Sequence, residues 1–211
     1  MRGFPYRRRG FLAVGAAVSL VSALPVRAAV DQAVVTPIQR LNDGLLQIMK
    51  EGQRTPFQQR FSVLAPIIDE IFNLPAILQE SVGLSWASMP QDQKSMLEQA
   101  FRRYTVASYV NSFDSFDGQR FEIAPDTRPV GNGQQIVQTR IIPRTGSGHE
   151  LDYVMRQSNG SWKVVDVLAD GSISRVAVQR SDFRHLLSRG GPQALADSLR
   201  NKSADLSEGA G

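Results

Sequence analysis

The residues best suited to chemistry in this chain are acids. "DSFDG" (114–118) sets Asp114 and Asp117 beside a glycine, as a calcium loop does. An EF-hand needs oxygen ligands at alternate positions and a glutamate at the twelfth. Counted from Asp114, the third position is Phe116 and the twelfth is Pro125, so no cation site is expected. The two histidines, His149 and His185, form no His-x-x-x-His pair, and there are no cysteines, so no metal and no disulfide is expected. No Gly-x-Ser-x-Gly elbow follows an apolar strand, and "GSG" (146–148) reads as a turn. Glycine-rich phosphate loops are missing as well, so no nucleotide cofactor is indicated. Asp152 and Asp166 fall inside predicted strands, where a buried carboxylate could act as a general base. Alternation puts Asp152 opposite Leu151, Tyr153 and Met155, toward solvent or an arginine such as Arg140 or Arg156. Asp166 shares a face with Trp162 and Val164 and is the better candidate acid. No complete catalytic constellation emerges.

The elements that would carry these residues change character midway. Thr36-Pro37 reads as a helix start, followed by Ile38, Leu41, Leu45 and Ile48 at helical spacing to about Lys50. Thr55-Pro56 repeats the signal. Pro66 and Pro75 are expected to cut the next stretch into short helices that stop at Gly83. A longer helix is predicted from Pro90 to about Phe116. Four segments then read as strands, 119–124, 134–142, 150–157 and 161–169, separated by turn residues such as "PVGNG" and "SNG". Short separators imply antiparallel neighbours. Two helices flank Gly190-Gly191-Pro192, and 201–211 reads as a flexible tail. The expected class is α+β, with a four-stranded antiparallel sheet wrapped by helices.

The helix predicted over 90–116 carries the strongest positive signal. Leu97, Ala100, Phe101, Tyr104 and Ser108 form one stripe at about 100° per residue. About 120° away, Glu98 and Arg102 suit water, yet the same face later carries Tyr109, Phe113 and Phe116. A second apolar face so late in a helix marks burial on two sides or the wall of an apolar cavity.

The N-terminus reads as an export signal over residues 1–28. Four arginines (Arg2, Arg7, Arg8, Arg9) precede the apolar stretch Phe11–Leu24, and small residues follow at "VRAA". "RRGFLA" (8–13) is similar to the twin-arginine consensus, though Arg7 and Ala13 depart from it; a general secretory signal is the alternative. The segment matters for charge. Of 24 basic residues, five arginines lie in residues 1–28, with no acids, so 19 basic face 20 acidic residues beyond it. The formal +4 of the whole chain becomes −1. Without a basic stripe, nucleic acid is a poor partner.

An ordered set of pieces resembles the MlaC family, periplasmic phospholipid-binding (toluene-tolerance auxiliary) proteins that include the hopanoid-associated HpnM branch. These are "FRRYTVASYV" (101–110), "DGQRFEIAP" (117–125), "LDYVMRQ" (151–157), "GSWKVVDVLADGSISRVAVQRSDFRHLL" (160–187) and "GGPQALADSL" (190–199), with a looser match upstream. One departure is "FNLP", where Asn73 stands in place of a common aspartate. The resemblance implies a single NTF2-like, MlaC-like domain over 29–200 that is no enzyme. It would be a periplasmic carrier of phospholipid, or hopanoid, passing lipid between an outer-membrane lipoprotein/porin complex and an inner-membrane ABC transporter with its substrate-receiving domain. Pattern and resemblance together place Tyr104, Tyr109, Phe113, Phe116 and Ile123 in or near the cavity. From the strands come Tyr153, Met155, Val165 and Val167, and from the C-terminal helix Phe183 and Leu187. Val82, Leu84 and Trp86 are expected at the mouth. Two other readings compete: a pocket enzyme of isomerase or hydratase type using Asp166, and an envelope adaptor without ligand.

Overall fold

The computed structural model of the protein describes residues 26–209. The expected export signal lies outside the described residues except for 26–28, which continue into the first helix. Five helices come first: α1 (Val26–Glu51), α2 (Phe57–Ile71), α3 (Leu74–Val82), α4 (Ser85–Ser88) and α5 (Gln91–Ser112). Seven strands follow: β1 (Arg120–Ile123), β2 (Arg128–Pro129), β3 (Gln135–Val137), β4 (Thr139–Ile142), β5 (His149–Ser158), β6 (Ser161–Ala169) and β7 (Ile173–Ser174). Helix α6 (Arg175–Glu208) closes the chain. The α+β class and the antiparallel sheet agree with expectation, but the sheet has seven strands among the described residues rather than four. Segment 134–142, read as one strand, is interrupted at Gln138 into β3 and β4, both of which pair with β5. On their other side β1 pairs with β4 and β2 with β3. β7 adds two residues at the far edge, on β6.

Pro56 and Pro75 stand at helix starts as expected, but Pro37 and Pro66 did not mark boundaries. α1 runs through Pro37 and α2 through Pro66. A proline frees the carbonyl four residues back. Here those carbonyls belong to Ala33 and Ser62, both exposed residues, so water can take the place of the missing N–H. Thr36 is therefore no N-cap; its hydroxyl donates to the Gln32 carbonyl one turn back (2.9 Å). Asn73 does cap α3, its Oδ1 accepting from the Ala76 N–H (3.2 Å). The Asn73 main-chain N–H donates to the Val164 carbonyl (2.9 Å), docking the α2–α3 junction on the β6 edge. The departure at "FNLP" thus leaves a competent cap.

α6 is two helices in series. Gly190 (φ −148°) and Gly191 (φ 65°, ψ −165°) are non-helical, as the Gly-Gly-Pro signal predicts. The second half continues to Glu208, and Ser203 is 1% exposed. The flexible tail expected from residue 201 is instead helical up to that point, because Leu195, Ala196, Leu199 and Ser203 keep one face buried at helical spacing.

The main core lies between the helices and one face of the sheet. α1 contributes Ile38, Leu41, Leu45 and Ile48, α5 contributes Leu97, Phe101 and Val106, and the sheet contributes Tyr153, Met155 and Val164. A small second cluster, Ile136, Val154 and Val165, occupies the other face. Arg60 is wholly buried inside the helical layer. Its Nε donates to the Thr55 carbonyl (3.1 Å) and its Nη1 to the Val110 carbonyl (3.2 Å). A cation in the last turn of α5 complements the free carbonyls and the dipole there.

Candidate functional site

α5 ends at Ser112, and this decides the local geometry. Phe113 leaves helical conformation (φ −120°, ψ 55°) while its N–H still donates to the Tyr109 carbonyl. The ring of Phe113, 9% exposed, stacks on Tyr109 with centroids 6.0 Å apart at 11°. Tyr109 in turn meets Phe72 edge-on (5.5 Å, 66°), and Phe113 meets Phe121 of β1 (6.0 Å, 36°). Four rings thus run from the α2–α3 junction across the end of α5 to the sheet. Phe116 is not among them. It lies four residues past the helix, 42% exposed, with Lys50 Nζ 5.6 Å from its ring centroid. The 100° spacing that grouped it with Tyr109 and Phe113 ceases to apply once the helix ends.

Beside this aromatic row is a cavity of about 290 Å³. Phe72, Leu74 and Ile77 line it from the α2–α3 region, and Phe101, Tyr104, Tyr109 and Phe113 from α5 and its end. Leu151 and Val167 line it from the sheet, and Val176 from α6. Polar groups also line it: Thr105, Ser108, Ser112, Asp166, Arg175 and Gln179. Four of the residues singled out in the sequence, Tyr104, Tyr109, Phe113 and Val167, therefore meet around one cavity. Burial raises the Tyr109 phenol pKa well above its ordinary value, against the opposing influence of the Arg175 charge. The Tyr153 phenol, fully buried next to it, is also pushed up by burial and lacks a well-formed hydrogen bond. Both stay neutral near pH 7, so the wall carries no phenolate.

The other named residues fall elsewhere. Tyr153, Met155 and Phe183 are core, with Phe183 edge-on to Phe101 (6.2 Å, 89°). Ile123 packs partly buried against that core. Val165 faces away, in the cluster on the opposite sheet face. The cause is a β-bulge: Val154 pairs with Asp166 but Met155 pairs with Val164, so Val165 is the extra residue. One extra residue resets the period of two, and Val164 and Val167 end up serving the same core. Val82, Leu84, Trp86 and Leu187 gather around a second, larger hollow of about 830 Å³ with Glu80, Arg180 and Arg184. Leu84 is 99% exposed there. With charged walls and an exposed tip, this trough shields apolar groups poorly, so the smaller cavity is the better candidate site despite its size.

The candidate acids have structural partners. Asp166 accepts from the Val167 N–H (2.8 Å), the Val176 N–H (3.1 Å) and the Ser174 hydroxyl, which ties β6 to the start of α6. Ser174 Oγ itself caps α6 at the Ala177 N–H (3.0 Å). Asp152 is 2% exposed, against the expectation of a solvent-facing side chain. Burial raises its pKa, only partly offset by hydrogen bonds from Thr139 and Gln138. It lies on the sheet face away from the cavity, beside Val154. Asp114 accepts from Gln53 Nε2 (2.6 Å). Among the described residues no three acids or histidines converge as metal ligands would.

Phe72, Leu74, Ile77, Leu151 and Val176 line the cavity without having been singled out. Each sits at an ordinary apolar position of its element, and only the docking of the α2–α3 junction on β6 brings them together. Arg175 was missed because nothing in its sequence context separates it from a solvated helix-start arginine.

Comparison with known proteins follows the same lines. The description of the MlaC protein family matches residues 39–201. Among solved structures, the phospholipid-binding protein of Ralstonia solanacearum, determined in complex with a phospholipid, superposes with a TM-score of 0.71. The two are 21% identical, and the match covers 82% of this chain and 98% of that one. At that identity the likeness establishes a shared fold. The family match spans most of the chain, from the middle of α1 into the second half of α6, and on that ground the chain belongs to the MlaC family.

Proposed function

We propose that this protein is a lipid carrier, with the 290 Å³ cavity as the place where acyl chains enter. The observation that carries this reading is the row Phe72, Tyr109, Phe113 and Phe121 beside a cavity whose apolar walls come from three helices and the sheet. Each methylene moved from water into such a site contributes about 0.8 kcal/mol, so chains can be held with few polar contacts. The phospholipid bound to the Ralstonia protein of the same fold supports phospholipid as the ligand class. The cavity lies at the low end of the ~300–1,000 Å³ usual for ligand sites, so loading a two-chain lipid widens it by parting α5 and α6 from the sheet. Family membership and the export-signal reading support a periplasmic location. They also support exchange with an inner-membrane ABC transporter and an outer-membrane complex. No helix among the described residues is long and apolar enough to cross a membrane. The engaged carboxylate of Asp166 gives the pocket-enzyme reading no support.

The test is native mass spectrometry with lipid extraction on gently purified protein. Wild type is expected to carry diacyl lipid, and Phe113→Asp to carry little while keeping its circular-dichroism spectrum. Wild-type protein that is lipid-free and takes up no lipid from vesicles would sink the proposal.

A further inference from the structure

The polar part of the cavity lining is rich in unpaired donors and poor in free acceptors. Arg175, the first residue of α6, is in no ion pair among the described residues. It differs in this from Arg102, which forks onto Asp69 (2.7 and 2.6 Å), and from Arg180, which reaches Glu80 (3.0 Å). One turn along the same face of α6, Gln179 sits beside Ser81 Oγ (3.1 Å), whose single hydrogen goes to the Ile77 carbonyl (2.8 Å), so the amide still has an N–H to offer. From the facing helix α5, the Thr105 hydroxyl is buried without a hydrogen-bond partner, and Ser112, exposed at the helix end, adds a second hydroxyl to the lining. The one carboxylate in the lining, Asp166, already accepts from two amides and a hydroxyl.

We infer that Arg175, with Gln179 and the α5 hydroxyls Thr105 and Ser112, forms a subsite for a phosphate monoanion of the phosphodiester type, placed where the acyl cavity meets solvent. The inference rests on the lipid-carrier reading and deepens it, since it gives the cavity a preference among lipids with identical chains. A guanidinium offers a planar fork of donors that matches phosphate oxygens, and such charge-assisted bonds are about twice as strong as neutral ones. Diacylglycerol has the same chains and no phosphate, so it isolates this contribution.

The test compares delipidated wild type with Arg175→Gln and Arg175→Lys, titrated with phosphatidylglycerol and with diacylglycerol of the same acyl composition. Wild type is expected to favour phosphatidylglycerol by about tenfold, the effect of one charge-assisted contact. Arg175→Gln should lose most of that ratio, and Arg175→Lys should keep part of it. Equal wild-type affinities, or a preference that survives in Arg175→Gln, overturns the subsite and leaves the carrier reading standing. Failure of wild type to bind either lipid overturns both. A parallel arm titrates millimolar inorganic phosphate. No saturable binding is expected; saturable binding that Arg175→Gln abolishes, without any preference between the lipids, assigns the site to a free anion and overturns the headgroup assignment.

Discussion

Asp152 shows most clearly how single residues in this protein are governed by burial. Its carboxylate sits at 2% exposure with Oδ2 unpartnered, and desolvation raises its pKa above the ordinary 3.8. A raised carboxylate pKa means that the folded state binds a proton more readily than the unfolded one. The stability cost of the charge is therefore absent below the unfolded pKa. It develops as pH rises toward the folded value and is complete above it. Asp152→Asn keeps the Oδ1 acceptor and removes the charge. It should raise the melting temperature at pH 7, with the gain shrinking as pH falls toward 3.8. Thermal melts across that range check the sign, and a uniform loss of stability at every pH would count against it. Asp152 also corrects a reading by alternation. The face opposite Tyr153 is not solvent-exposed at this strand position, and period two cannot tell a wet face from a second small core.

At the scale of elements, most boundaries were legible where local chemistry sets them. Asn73, Ser174 and the Gly190–Gly191 pair do what their types suggest at helix ends. Gly191 has φ 65° and ψ −165°, a region that side chains avoid. Gly191→Ala should therefore destabilise the protein by about 1–3 kcal/mol, although a Cβ there meets no atom within 4 Å. Urea unfolding would show this as a lower midpoint with unchanged slope. Other boundaries were misread. Pro37 and Pro66 sit inside helices, and the carbonyls they orphan belong to exposed residues, Ala33 and Ser62. The α5 terminus falls at Ser112 rather than at Phe116, and this one shift moves Phe116 from the cavity wall to the surface beside Lys50. The bulge at Val165 is a feature of pairing between two strands, so neither strand's own sequence announces it.

For the whole molecule, the relevant quantity is how ligand occupancy couples to stability. A cavity of about 290 Å³ between the helices and the sheet leaves its lining side chains with fewer packing partners than a filled core has. Ligand that binds only the folded state adds stability by mass action, about 2.7 kcal/mol at a hundred times its dissociation constant. For a chain of this size that is roughly 5–10 °C in melting temperature. Delipidated protein should therefore melt roughly 5–10 °C lower than protein saturated with phospholipid, measured by calorimetry. No shift at saturation would mean that the lipid does not bind the folded state in the way proposed.

The amino-acid sequence by itself determined the class of the molecule. Helical spacing in the first half, alternation between turn residues in the second, and the Gly-Gly-Pro break in the last helix are local signals. They specify an antiparallel α+β domain without reference to distant residues. The sequence also singled out Tyr109 and Phe113, because an apolar face appearing late in a polar helix needs an apolar neighbour, and Tyr104 and Val167 from pattern and family resemblance. Only the tertiary structure decided which apolar residues line the cavity and which fill the core. Phe72, Leu74 and Ile77 become lining because a main-chain hydrogen bond docks Asn73 on Val164. Val165 leaves the core because a bulge flips it. Arg175 gains its proposed role because the start of α6 lines an apolar cavity. Each of these depends on contacts between residues far apart in the chain, and periodicity within one element carries no information about them.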